Sequence, residues 1–146
     1  MTRRGQAERT GLRYLTVAYR LRKVLDEQMT AAGLSLARTK VLQVLDRHGA
    51  LRQAVLAEQL GLAPRSVTQV VEALERAQLV EREPDPGDLR AKLVAITPAG
   101  AEALNAGTAA GERVLAAIFD GLGQRQLADL DGLLELIEAA TDEVAG

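Results

Sequence analysis

Residues 51–97 constrain the fold more than any other part of the chain. They read as a short helix, a turn, a second helix and a charged hairpin. The first helix sets Leu56, Ala57 and Leu60 on one side and stops at Gly61. The second opens on Pro64, whose missing N–H costs nothing at a first helical position. Val67, Val70, Val71 and Leu74 then recur at helical spacing as one apolar stripe. Arg65, Thr68, Gln69, Glu72 and Arg76 fall on the opposite side. A helix with a polar, partly cationic outer face, braced by a shorter helix, has the layout of a DNA recognition helix.

The hairpin extends the pattern. Leu79 and Val80 begin one strand, and Leu93–Ile96 form its partner. Between them PDPGDLRAK is expected to be a loop, because Pro84, Pro86 and Gly87 interrupt regular structure. Two strands with Arg90 and Lys92 near their tip, directly behind a helix-turn-helix, make a winged helix. Such a wing can lie along the DNA backbone and put an arginine into a narrow minor groove.

The flanks read as helices. From about Thr10 to Ala32, Tyr14, Ala18, Leu21, Leu25 and Met29 share a face. Ser35 can cap the next helix, with Val41, Leu42 and Leu45 inward and Gly49 beyond its end. Thr97 and Pro98 signal another start, and that helix runs to about Asp120. Its Gly107 and Gly111 each cost about 1 kcal/mol relative to alanine unless they allow close packing. A last helix covers roughly 124–144, with Leu127, Leu130, Leu134 and Ile137 in line beside Leu133. The expected fold is mainly α with a small β-hairpin wing, one domain over 1–146. Residues 35–97 form the winged helix, and 10–32 and 98–146 form flanking dimerisation helices. Their apolar stripes lack an obvious partner within the chain, and a twofold pair of chains would cover them.

Charge supports a polyanion partner in spite of the net −2. Residues 1–48 carry +6, residues 49–98 carry −1 and residues 99–146 carry −7. Phosphates respond to the surface that faces them, so the acidic end is expected to point away. With 47% hydrophobic residues the chain can build a core. No apolar run is long enough for a membrane span, and no signal peptide is visible, so the simplest placement is the cytoplasm. Cysteine is absent, which removes disulfides and thiolate metal sites. His48 is the only histidine, so a catalytic triad or a histidine-rich metal site has nothing to use. No cofactor, metal or catalytic residue is expected, and the chain does not read as an enzyme.

The chain resembles the MarR family of bacterial winged-helix regulators along nearly its whole length. The wing run Asp88-Leu-Arg90-Ala-Lys-Leu-Val94-Ala-Ile96-Thr97 and the preceding LAEQLGLAPRSVTQVVEALERAQLVER carry the likeness. The resemblance implies a dimer held by the terminal helices and a regulator that responds to a small organic effector. It implies that Arg90 enters the minor groove, oriented by Asp88. Two positions depart from the family pattern. Arg52 stands where a capping Ser or Thr is usual, with a phosphate contact as one role open to it. Gln78 stands where glycine is usual, and a left-handed backbone there strains glutamine.

Arg65, Ser66, Thr68 and Gln69 are the candidates for base contact, since arginine reads guanine and glutamine reads adenine. Glu72 is expected to pair with a nearby arginine. Gln53, Arg38 and Arg76 are candidate phosphate contacts. For the effector, the resemblance points between the dimer helices and the winged helix, with Tyr19, Arg22, Arg38 and Val41 as candidates, although Tyr19 and Val41 read more readily as core. The expected function is a homodimeric repressor of a pseudo-palindromic operator on double-stranded DNA, released by the effector. The alternative is a winged-helix protein–protein scaffold.

Overall fold

The structure is a computed structural model describing residues 1–146. Its elements are α1 (Arg3–Ala31), α2 (Leu36–His48), α3 (Gln53–Leu60), α4 (Pro64–Arg76), β1 (Val80–Asp85), β2 (Asp88–Ile96), α5 (Pro98–Phe119) and α6 (Gln124–Ala145). They fall into two compact units, Met1–Arg113 and Val114–Gly146. No helix is long and apolar enough to cross a membrane.

In the first unit the boundaries follow local chemistry. α1 begins at Arg3 rather than near Thr10, because the Thr2 hydroxyl accepts the Gly5 N–H at 3.1 Å and caps it early. Ser35 caps α2 by accepting from Arg38 N at 3.2 Å, and Asp26 accepts from Leu36 N at 2.9 Å. α3 stops at Gly61, which takes the left-handed conformation. α4 ends in a double turn: Gln78 N–H reaches Glu75 O and Leu79 N–H reaches Leu74 O, at 3.0 and 2.9 Å. That closure places Gln78 at φ 62°, the one non-glycine residue with positive φ, as the sequence departure implied.

The core gathers Leu34, Val41, Leu42, Leu45, Leu56, Ala57, Val67, Val71, Leu74, Val80, Val94 and Leu104. Val67, Val71 and Leu74 are 0% exposed. At roughly 1.5–3 kcal/mol for each buried side chain, these three anchor α4 far more firmly than any surface pair. Gly100 of α5 packs directly on the wing base. A Cβ there would stand 2.1 Å from Leu79 O, so only glycine permits this approach. Gly107 lies against Leu34 and Thr39, and Gly111 against Met29, so these glycines serve close packing.

The hairpin is longer than the sequence suggests. β1 and β2 pair antiparallel from Val80↔Ile96 to Pro84↔Lys92, and Asp85 pairs with Asp88. Strand structure therefore includes most of PDPGDLRAK, leaving only Pro86 and Gly87 as the turn. Proline is tolerated because a two-stranded ribbon is all edge. The register breaks between Pro84 and Asp85, so Leu89, Arg90 and Ala91 bulge from β2. Leu51 pairs with Val94 on the other edge of β2, with bonds of 3.0 and 2.7 Å.

In the second unit, Gly123 N–H donates to Gln126 Oε1 at 2.9 Å, bracing the start of α6. Along α6, Leu133, Leu136 and Ile137 are exposed.

Candidate nucleic-acid interface

The outer face of α4 carries Arg65, Ser66, Gln69, Glu72 and Arg76, all exposed, while Thr68 is half-buried on the flank toward α3 and β1. The molecule contains two ion pairs, Arg52–Asp85 and Arg82–Glu75. Arg65, Arg76, Arg90 and Lys92 belong to neither, so their charges have no intramolecular partner to give up before meeting a phosphate. Glu72 is also unpaired, contrary to the expectation of an arginine partner. An exposed pair is worth little, and nothing holds Glu72 and Arg76 together although they sit four residues apart. Arg38 is exposed in the first turn of α2.

Two aspartates shape the wing tip. Asp85 Oδ1 accepts from Gly87 N at 2.9 Å, and its other oxygen accepts from Arg52 Nε at 2.7 Å. The Gly87 N–H and then Arg52 hold the Asp85 carboxyl below the usual carboxylate range. Arg52 leaves the start of α3 without a side-chain cap and is spent on tying that start to the wing. A phosphate contact, the role left open for it, would have to compete with this pairing. Asp88 Oδ1 accepts the backbone N–H of Arg90 at 3.0 Å and makes no ion pair with its guanidinium. Of the Asp88–Arg90 contact that the resemblance implied, the structure shows this backbone bond alone.

Sequence reasoning missed Arg82. Its guanidinium meets Glu75 at 3.4 Å and donates to Gln53 Oε1 at 3.2 Å, and Gln53 Nε2 donates to Thr68 Oγ1 at 2.6 Å. The signal was faint: an arginine alternating with Glu81 and Glu83 along a strand looks like any solvated edge.

A separate cavity of about 540 Å³ opens between α1, α2 and the α3–α4 turn. Tyr19, Arg22, Lys23, Asp26, Leu36, Lys40 and Leu62 are among its lining residues. Of the effector candidates, Tyr19 and Arg22 line it. Arg38 does not, and Val41 is 1% exposed in the core. Tyr19 is 70% exposed and so is not a core residue. Partial burial, and then Arg22 nearby, lower the Lys40 pKa. His48 is exposed at the end of α2.

The MarR family's sequence pattern matches residues 34–92, from two residues before α2 into the wing. A helix-turn-helix transcriptional regulator of Mycobacterium bovis is 30% identical over 124 residues, covering 85% of this chain and 87% of that protein. The chain belongs to the MarR family. Members of the MarR family are transcriptional regulators, not enzymes, and the winged helix is the MarR fold. A mutant of Escherichia coli MarR solved with operator DNA superposes with a TM-score of 0.76 at 22% identity, over 94% of this chain and 99% of that one. Bordetella bronchiseptica BpsR, whose DNA binding is regulated by 6-hydroxynicotinic acid, superposes at 0.74 and 22% identity, over 89% and 98%. At these identities the likeness is one of fold.

Proposed function

We propose that this MarR-family regulator binds a pseudo-palindromic operator as a homodimer, represses transcription there, and is released by a small organic anion. The observation that carries the reading is the set of unpaired cations on α4 and the wing. In this reading Arg65 and Gln69, with Ser66 and Thr68 beside them, face base edges in the major groove. Arg76, Gln53 and Arg38 meet phosphates, and Arg90 enters the adjacent minor groove. The exposed apolar residues of α1 and α6 support the dimer. The cationic lining of the cavity supports an anionic effector, because Arg22, Lys23 and Lys40 outnumber Asp26. The cavity also touches Leu60, Gly61 and Leu62, the turn leading into α4. A ligand that repositions this turn would change the aim of the recognition helix, which couples occupancy to DNA affinity.

A gel-shift series with the DNA upstream of the chain's own gene, in competition with random duplex, tests the reading. Two protected half-sites with centres roughly 34–36 Å apart are expected, since both recognition helices must enter grooves on one DNA face. Equal affinity for upstream and random DNA at every salt concentration would sink it.

A further inference from the structure

A line of hydrogen bonds behind the α4 outer face has a polarity fixed at each link. Arg82 Nη2 donates to Gln53 Oε1, Gln53 Nε2 donates to Thr68 Oγ1, and the Thr68 hydroxyl donates to Pro64 O at 2.9 Å. A guanidinium has donors only, so Gln53 must turn its carbonyl oxygen toward Arg82. That leaves the Gln53 amide NH₂ facing Thr68. The Pro64 carbonyl can only accept, so the Thr68 proton is engaged there and its oxygen receives the Gln53 hydrogen. Flipping the Gln53 amide would set donor against donor at Arg82. Glu75 accepts from Nε of the same guanidinium, at 3.4 Å. Gln53, Thr68 and Arg82 are each part-buried, so water competes weakly for these bonds.

The consequence falls on Thr68. A free threonine hydroxyl can give or take a hydrogen bond and so discriminates poorly between base edges. Here its proton is spent and one lone pair is used. What remains to offer a ligand is one acceptor lone pair and a methyl group. We propose that Arg82 is a specificity-determining residue that never touches DNA: by fixing the Gln53 amide it makes Thr68 a pure acceptor. One position in each half-site then favours a base with an amino group on its major-groove edge, adenine or cytosine, over guanine or thymine. The inference rests on the DNA-binding reading of α4.

The test is selection from a pool of random-sequence duplexes, followed by affinity measurements on the selected site and its single-base variants. The proteins compared are the wild type, Arg82→Met, Arg82→Lys, Thr68→Val and the double variant Arg82→Met/Thr68→Val. The wild type is expected to prefer adenine or cytosine at one half-site position by roughly fivefold or more, the low end of a single base contact. Arg82→Met should erase that preference while leaving the other positions unchanged. Arg82→Lys, which also only donates, should keep it. Thr68→Val should erase it equally, and the double variant should lose nothing more, because both act on one contact. Where Arg82→Met melts below the assay temperature, Arg82→Gln replaces it, since its amide can give or take a bond and no longer fixes Gln53. A preference that survives in the Arg82 and Thr68 variants overturns the proposal. So does a loss of affinity spread evenly over all positions, which marks a structural role only. A wild type that selects no sequence removes the DNA-binding reading itself, a distinct result visible before any variant is compared.

Discussion

At the scale of single residues, Arg90 and Gln78 stand for two kinds of unusual position, one poised for function and one carrying strain. Arg90 sits in a bulge whose backbone Asp88 holds through the Arg90 amide. In the proposed reading, little backbone entropy is then left to lose when the cation meets DNA. Arg90→Ala should weaken operator binding strongly and make the log–log salt dependence shallower by about one unit, because one fewer cation displaces counterions. The melting temperature should barely move, since Arg90 makes no ion pair. Asp88→Ala should give a milder loss, and stronger binding would show that the carboxylate's repulsion of DNA outweighs its grip on the bulge. Gln78 adopts φ 62° because the α4 closure demands it. Gln78→Gly should raise stability by about 0.5–1 kcal/mol in urea denaturation, the relief of left-handed strain less the added freedom of the unfolded chain. A destabilised variant would mean that the Gln78 side chain contributes more than its backbone costs.

Between elements, the Arg52–Asp85 pair ties the start of α3 to the wing tip, at 2.6 Å. The tie neutralises a cation in a region where Arg65, Arg76, Arg90 and Lys92 belong to no ion pair. Asp85→Ala should release Arg52 and remove a negative charge, so binding to random DNA should strengthen and its salt slope steepen by about one unit. Selectivity for the operator should fall, because the wing loses an anchor. An unchanged salt slope would indicate that Arg52 lies too far from the phosphates to matter. The same contact has a defined pH dependence. The folded Asp85 carboxyl titrates below the ordinary aspartate value of 3.8. Its contribution is therefore fully present above that value and is lost as pH falls through the lower, folded one. The Gly87 amide, which donates to this carboxylate, should report the loss by a shift in its NMR resonance in that acidic range. Asp85→Asn should abolish the titration.

For the whole molecule, the exposed apolar residues of α1 and α6 bear on assembly. Leu136 and Ile137 both follow Leu133 by one helical turn along α6, and Leu136 is 69% exposed. Leu12, Leu15 and Val17 are similarly exposed on α1. Sedimentation velocity should give a particle of two 15.6 kDa chains, and Leu136→Glu should shift it to one by burying an unpaired carboxylate at the contact. A wild type sedimenting as a single chain at micromolar concentration would rule the dimer out.

Local patterns were enough to read the helices, the Ser35 and Thr97 starts and the presence of a wing, but not the Thr2 cap that lengthens α1. Pro64 after Gly61, the Val67–Val71–Leu74 stripe and the Thr97–Pro98 start are short-range signals, and short-range sterics and hydrogen bonding settle such features. The strain at Gln78 was legible only through the family resemblance, which sets a glycine where this chain has glutamine. The length of the hairpin was not legible, since Pro84 forbids a strand only where a neighbour needs its N–H, and that depends on the sheet being a two-stranded ribbon. Nor was the polar circuitry. Whether Arg52 meets a phosphate or Asp85, and whether Arg82 is a solvated edge or the clamp on Gln53, turns on contacts 33 and 29 residues apart in the chain. Such contacts exist only once the core brings α3, α4 and the wing together. The sequence alone determined which elements form and which side chains are available; the tertiary structure decided which of those side chains are already committed to each other and which remain free to meet a ligand.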